Sequence, residues 1–172
     1  IEDLTTSYLM HPEETYFCGS LVLVNNPQDE RFDIIDGQQR TTTFTILDCV
    51  LRDLYLNELT PKAKKNIKNS IQDTFDGERR NLKFLTNDKF QIEFEETIIN
   101  GISFQNTKQI EKVFQNNRYL QNAHFFKHYI QEKFDEQRIE VNSFVVWLYE
   151  KVVLTVITCP NQDSAIQIFN VL

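Results

Sequence analysis

The chain has 172 residues, of which 41% are hydrophobic and 25% charged, with 4 Gly and 4 Pro. This composition excludes a disordered or fibrous chain and predicts one globular domain with a sizeable core. No apolar run approaches the roughly 20 residues that a membrane helix needs, and no signal-peptide pattern opens the chain, so we expect a cytoplasmic protein that does not contact membranes.

The net charge of −7 is unevenly distributed along the chain. The first 60 residues carry 11 acidic and 3 basic side chains, whereas residues 61–120 carry 8 acidic and 11 basic ones. A broad basic face for nucleic acid is therefore not expected. If DNA is involved, the middle third of the chain or another part of a longer protein must contact it.

The first predicted elements are two strands and a helix. The segments "YFCGSLVLV" and "RFDII" are rich in strand-forming residues and are separated by the turn formers of "NNPQDE", which predicts a hairpin. After Gly37 the apolar residues recur at spacings of three and four, beginning with Phe44 and Leu47. This pattern predicts an amphipathic helix that runs to about Asn57.

The remaining pattern is mainly helical, with one late strand. Thr60 and Pro61 predict the start of a basic, exposed helix. Further helices are predicted over "KFQIEFEETIING", from about 107 to 134 with a break near "NNR", and over "NSFVVWLYEKV". The strand "VLTVITC" and a helix that begins at Asp163 or Ser164 follow. This order predicts an α+β domain in which a small mixed sheet packs with a helical remainder.

The chain starts without Met and stops inside an apolar helical pattern without a stop signal. We therefore expect residues 1–172 to be a single-domain fragment, the N-terminal domain of a longer protein. Cys18, Cys49 and Cys159 are odd in number and lie in apolar surroundings, which favours buried free thiols over a disulfide framework or a zinc site.

The polar cluster that joins the second strand to the first helix is typical of a helix cap. Asp is a preferred N-cap residue, and Gln39 lies three positions after Asp36, which fits a capping box. On this interpretation the Asp36 carboxylate accepts hydrogen bonds from backbone N–H groups, and the cluster only begins a helix.

The same cluster also fits an anion-binding site. Gly37 would let the backbone approach a ligand closely, and a helix N-terminus offers N–H donors and a positive dipole end. Arg40 adds a forked cation, and the three threonines that follow add hydroxyls but weaken helix propensity. Gln38 and Gln39 could orient water, while Asp36 could hold a divalent ion or act on attacking water.

The segment "IIDGQQRTTTF", preceded by "YFCGSLVLV" and followed far downstream by "DSAIQIFNVL", resembles the domain-of-unknown-function family 262. This family includes the nucleotide-hydrolysing part of GmrSD-type restriction systems and the phosphorothioate-sensing Ssp-type defence proteins of bacteria. The resemblance implies a fold similar to ParB and sulfiredoxin. It also implies nucleoside-triphosphate binding and hydrolysis at the DGQQR motif.

Carried over onto this sequence, the resemblance implies a catalytic core made of Asp36, Gln38, Gln39 and Arg40, with Asp36 also the metal ligand. The implied nucleotide-binding residues are Gly37, Arg40, Thr41, Thr42, Thr43, Gly19 and Ser20. The implied cofactor is a divalent metal, Mg²⁺ by chemistry, with a nucleoside triphosphate as the substrate. Gly37 would permit the turn, and Gly19 and Ser20 would be its neighbours in the strand expected to pair beside the motif.

The function expected from the resemblance is an NTPase activity in modification-dependent DNA restriction or related phage defence. Two alternatives stay open: a nucleotide-sensing regulatory module that does not hydrolyse, and a metal-dependent DNA nickase or nuclease. The expected partners are a nucleotide, DNA through another domain or subunit, a nuclease effector domain or partner, and further copies of the chain.

Two other patterns are weaker site candidates. The segment "GERR" at residues 77–80 matches letters used by ParB-like nucleotide hydrolases, but it leads into a predicted strand rather than opening a helix, so a solvated turn is favoured. His124 and His128 lie four residues apart on a predicted helix, but no Glu occupies the position that an HExxH zinc site requires, since Phe125 and Phe126 follow His124. The pair is therefore interpreted as structural.

Overall fold

The computed structural model describes residues 1–26, 31–72, 88–104 and 116–169. The chain divides into two compact units, and each is described by itself. Unit 1 comprises Ile1–Thr42 and Trp147–Leu172, and unit 2 comprises Thr43–Val146. The predicted single domain stays a prediction, and the "GERR" segment lies outside the described residues.

Unit 1 contains a three-stranded mixed sheet. The strands are β1 (Tyr16–Asn26), β2 (Arg31–Asp36) and β3 (Val152–Cys159), in the order β2-β1-β3. The predicted hairpin is confirmed, because β1 pairs antiparallel with β2, and β3 adds a parallel partner on the other side of β1. Together with the helices below, this sheet confirms the α+β class and is consistent with a ParB/sulfiredoxin-like fold.

One face of this sheet is covered by the last helix, α7 (Gln162–Phe169). Val22 and Val24 of β1 pack with Cys159 of β3 and Ala165 of α7 in a buried cluster. The alternation of side chains along a strand places Val22 and Val24 on the same face, so an apolar residue at every second position is enough to build this core.

Helix α7 begins one residue before the earlier of the two predicted starts. The N–H of Ala165 donates to the carbonyl of Asn161, and the N–H of Ser164 donates to the Asn161 Oδ1 at 2.9 Å. Asn161 is therefore the N-cap residue, and the prediction of Asp163 or Ser164 was wrong because Asn caps as well as either. A further helix, α1 (Glu2–Met10), was not predicted.

Unit 2 is helical in its described part. Its helices are α3 (Pro61–Ile71), α4 (Asp88–Phe94) with a π-helical continuation (Glu95–Ile99), α5 (Arg118–Gln137), and the residues up to Val146 of α6 (Val141–Lys151). Helix α2 (Gln38–Leu54) contributes its residues from Thr43 onward. Thr60 caps α3 as predicted, since its side chain accepts from the N–H of Ala63.

The core of unit 2 is made of apolar side chains at helical spacing. Ala63, Ile67 and Ile71 of α3 are buried at four-residue intervals, and Phe94 of α4 meets Tyr119 of α5 edge-on with ring centroids 5.0 Å apart. The three-and-four periodicity seen in the sequence therefore marks the buried faces. None of the helices formed by the described residues is both long and apolar enough to cross a membrane.

Candidate functional site

The turn between β2 and α2 is built on Gly37. The first helical hydrogen bond runs from the N–H of Thr41 to the carbonyl of Gly37 at 3.0 Å, so Gly37 occupies the N-cap position. Its φ of +92° is a conformation that residues with a Cβ rarely adopt. The sharp change from strand to helix at this point therefore depends on a glycine.

The predicted cap at Asp36 was wrong by one residue. Asp36 is the last residue of β2, and within the described part of the chain no backbone N–H donates to its carboxylate. The carboxylate instead lies 3.6 Å from Nη2 of Arg40. Because the Asp36 side chain keeps 26% of its surface exposed, it is not sealed away from ligands.

Arg40 lies against the backbone of β1. Its Nη1 donates a hydrogen bond to the carbonyl of Ser20, and its guanidinium carbon would lie 3.3 Å from a Cβ placed on Gly19. Gly19 has a φ of +98° and lies within an irregularity in the pairing of β1 with β3, between Phe17 and Ser20. The irregular strand and the absent side chain together leave room for the guanidinium.

Gly37 is in close contact with the same group. A Cβ on Gly37 would collide with the Leu21 side chain and would lie 3.2 Å from both the Arg40 Nη1 and the Ser20 carbonyl oxygen. The predicted neighbours Gly19 and Ser20 are thus brought together with Asp36, Gly37 and Arg40. Leu21 was missed by sequence reasoning, and only the pairing of β1 with β2 could have indicated it.

The remaining motif residues have different surroundings. Gln38 Nε2 donates to the Ile34 carbonyl at 2.7 Å, while Gln39 is exposed. The hydroxyls of Thr41 and Thr42 each donate to the carbonyl four residues earlier, at 2.9 Å. In this conformation those hydroxyls can only accept hydrogen bonds from a ligand. Thr43 is exposed on the same helix.

The pKa of the Cys18 thiol is affected by the nearby guanidinium of Arg40. Burial raises the pKa of the Cys18 thiol, and the positive charge of Arg40 opposes that rise. The Cys18 thiol is half-buried, Cys49 and Cys159 are buried, and none of the three forms a disulfide, so the predicted burial holds for Cys49 and Cys159 but not for Cys18. The positive charge of Arg40 is close enough to act on the Cys18 thiol.

The metal-binding capacity of this turn is small. Among the described residues, no group of three or more His, Cys, Asp or Glu side chains is placed to hold a metal ion. Asp36 supplies one carboxylate at the turn. Since Mg²⁺ usually keeps several waters and binds one or two carboxylates together with substrate phosphates, Asp36 fits a metal that arrives with a nucleotide.

Comparison with known families gives a match over the whole chain. The family model described as the GmrSD restriction endonuclease, N-terminal domain, matches residues 1–172. The match therefore includes the hairpin, the Gly37 turn and the last helix. Among curated proteins, no match to this chain is found.

Proposed function

Since the chain belongs to the family of the GmrSD restriction endonuclease N-terminal domain, we propose that it binds a nucleoside triphosphate at the Gly37 turn and hydrolyses its terminal phosphate. The activity would serve DNA restriction in phage defence. Cleavage of DNA would then reside in a nuclease domain or partner subunit. The observation that carries the proposal is the position of Arg40, which is partly exposed in the first turn of α2 and lies against the two positive-φ glycines Gly19 and Gly37.

The phosphate-binding site would combine hydrogen-bond donors from the backbone and from side chains. The N–H groups of the first residues of α2 have no acceptor within the helix, and the helix dipole adds partial positive charge there. Arg40 uses one of its five N–H donors on the Ser20 carbonyl, so others can face an anion. These two sources of positive charge converge on a phosphate at the turn.

Nucleotide binding would displace the contact between Arg40 and Asp36. Both side chains are partly exposed and their charged atoms lie 3.6 Å apart, which is a geometry worth about 0–1 kcal/mol. A phosphate with a bidentate contact to the guanidinium is a stronger partner. Asp36 is thereby released toward the metal or the attacking water, while the Ser20 carbonyl keeps Arg40 in place.

In the hydrolysis step, a water oxygen forms a bond to the terminal phosphorus and the bond to the bridging oxygen of the diphosphate breaks. Asp36 would accept the proton of the water, and Gln39 would orient that water from its exposed position. Mg²⁺ bound with the nucleotide supplies charge neutralisation at the phosphates. Arg40 stabilises the negative charge on the phosphate oxygens.

A non-hydrolysing nucleotide sensor is the second candidate function. It is favoured by the scarcity of proton acceptors, because Asp36 is the only carboxylate that the described residues place within ion-pair distance of Arg40. Nucleotide that remains intact after prolonged incubation with the protein would support this candidate. The nickase alternative is less well supported, since the turn supplies one carboxylate and metal nucleases commonly use two metal ions.

The test measures phosphate release by the full polypeptide with Mg²⁺ and each of the four nucleoside triphosphates. We expect Arg40→Ala to lower turnover at least 100-fold and Asp36→Asn at least tenfold. Arg118→Ala is a matched control, because it removes an exposed arginine at the start of α5. Wild-type turnover in Arg40→Ala, with normal circular dichroism, would refute the site.

A further inference from the structure

Helix α3 of unit 2 carries a concentration of positive charge in an acidic chain. Its 11 residues, PKAKKNIKNSI, include four lysines and no acidic residue. All four lysines, Lys62, Lys64, Lys65 and Lys68, are exposed. We call this set the α3 lysine face. The net charge of the whole chain is −7, so this face differs in sign from the chain as a whole.

Three of the four lysines have no acidic partner among the described residues. Within the described ranges, no carboxylate lies in ion-pair distance of Lys64, Lys65 or Lys68. Two lysines of other elements are paired: Lys133 lies 2.9 Å from Glu136 and Lys151 lies 3.9 Å from Glu13. The α3 lysine face therefore has capacity for an external anion.

The arrangement also works against the stability of the helix. Lys64 and Lys68 are four residues apart, and Lys65 and Lys68 are three apart, which brings like charges side by side on the surface. Lys64 also lies close to the positive end of the helix dipole. A helix whose surface only kept the protein soluble would carry both acidic and basic side chains. The repulsion among the lysines therefore points to an anionic partner that relieves it.

The shape of the face selects the class of anion. At about 100° per residue, the four lysines lie within an arc of about 160°, on one side of the helix. From Lys62 to Lys68 they extend over about 9 Å of the helix axis at 1.5 Å per residue. Several positive charges along this length match the closely spaced phosphates of a duplex better than a single phosphate group.

Two other polyanions fit less well. A membrane-surface helix needs apolar side chains that enter the lipid, but Ala63, Ile67 and Ile71 of α3 are already buried in unit 2. Single-stranded nucleic acid is usually held by stacking on aromatic side chains, and the α3 segment contains none. We propose that the α3 lysine face binds the phosphate backbone of duplex DNA without reading its sequence.

The proposal does not depend on nucleotide hydrolysis, because binding is measured without nucleotide. The test follows the fluorescence anisotropy of a labelled random-sequence 30-base-pair duplex with the full polypeptide between 50 and 200 mM NaCl, conditions in which phosphate contacts are strongly salt-dependent. The main variant is Lys64→Gln/Lys65→Gln/Lys68→Gln, since Gln keeps a helix propensity close to that of Lys. The matched control, Lys89→Gln/Lys127→Gln/Lys133→Gln, removes the same charge from α4 and α5.

We expect the α3 variant to bind at least tenfold more weakly at 100 mM NaCl. The slope of log affinity against log salt should fall in magnitude by about 2 to 3, because each lost phosphate contact contributes about 0.9. The control variant should bind within about twofold of wild type. Replacing the three α3 lysines with Arg keeps the charge and should restore binding, which separates lost contacts from a folding defect.

Several outcomes would overturn the proposal. An unchanged salt slope in the α3 variant would show that these lysines do not contact DNA. Equal weakening by the α3 and control variants would show an effect of net charge alone. Tighter binding to a single strand of the same length, or lysine-dependent binding to phosphatidylserine vesicles without duplex binding, would assign the face to another partner.

Discussion

At the scale of single residues, the site depends on two glycines, which leave space because they carry no side chain. Gly19 and Gly37 both have positive φ, and a Cβ on either would come close to the Arg40 guanidinium. The two glycines therefore fix where the cation lies, while the Ser20 carbonyl fixes its orientation. The glycine of the DGQQR motif therefore has two structural roles: it permits the turn, and it leaves space for the Arg40 guanidinium.

Replacing Gly37 with Ala should destabilise the protein and abolish the proposed activity. The new Cβ meets the Leu21 side chain and the backbone of Ser20, in addition to the strain of a positive φ, which costs about 1–3 kcal/mol. Gly101→Ala is the matched control, since Gly101 has a φ of +126° but no described residue beyond its chain neighbours places an atom within 4 Å of its Cβ position.

Urea unfolding of both glycine variants gives the comparison. We expect Gly37→Ala to lose at least about 1 kcal/mol more free energy of unfolding than Gly101→Ala, because only Gly37 adds a steric collision to the strain. Phosphate release should fall only in Gly37→Ala. Equal losses of stability in the two variants would contradict the contacts described for Gly37.

At the scale of elements, helix α6 is capped by an acidic side chain. The Glu140 carbonyl accepts from the N–H of Phe144, so Glu140 is the N-cap residue. Its carboxylate accepts from the N–H groups of Asn142 at 3.0 Å and Ser143 at 2.6 Å, and from both of their side chains. Burial opposes ionisation, but these hydrogen bonds outweigh it and lower the pKa of Glu140 to about 2.

The Glu140 cap predicts a dependence of stability on pH. Because the folded pKa lies below the ordinary value of 4.5, the stabilisation is fully present above about pH 4.5 and is lost as the pH falls toward 2. Glu140→Gln should lower the free energy of unfolding by about 1 kcal/mol at neutral pH, a value typical of an exposed cap.

Thermal or urea unfolding between pH 2 and pH 7 checks this dependence. The difference between wild type and Glu140→Gln should shrink as the pH falls below about 4.5. Glu136→Gln is the control, since its pair with Lys133 is exposed to solvent and contributes little to stability. A difference that stays constant down to pH 2 would show that the charge of Glu140 does not act through this cap.

At the scale of the whole molecule, the aromatic residues separate into core and surface positions. Phe144 of α6 is fully buried and meets Phe134 of α5 with ring centroids 5.2 Å apart. Phe125 of α5 is 58% exposed, whereas the neighbouring Phe126 is buried. The difference arises because adjacent residues on a helix point about 100° apart, so Phe126 faces the core and Phe125 does not.

Separate substitutions of the buried Phe144 and the exposed Phe125 test the core of unit 2. Phe144→Ala should lower the free energy of unfolding by about 3–5 kcal/mol, since it removes a fully buried ring and leaves a cavity. Phe125→Ala should change it by less than about 1 kcal/mol. Urea unfolding followed by circular dichroism measures both, and similar losses in the two variants would contradict the burial of Phe144.

The sequence by itself determined the hairpin, the cap of α3 and the glycine turn that carries the candidate site. The hairpin, the α3 cap at Thr60 and the switch from strand to helix after Gly37 follow from local preferences, which neighbouring residues encode. Helix α1 was not predicted because its few apolar residues do not form a clear apolar face. The cap at Asp36 was misplaced because Asp and Gly both suit that position.

Only the tertiary structure decided what surrounds Arg40. Ser20 lies twenty residues before it, and the Gly19 irregularity depends on pairing with β3, more than a hundred residues later. Such contacts depend on how distant strands meet, which no local preference specifies. The sequence therefore determined that a glycine turn and a cation stand together, and the assembled sheet decided that the cation is held by a carbonyl of β1 beside the Asp36 carboxylate.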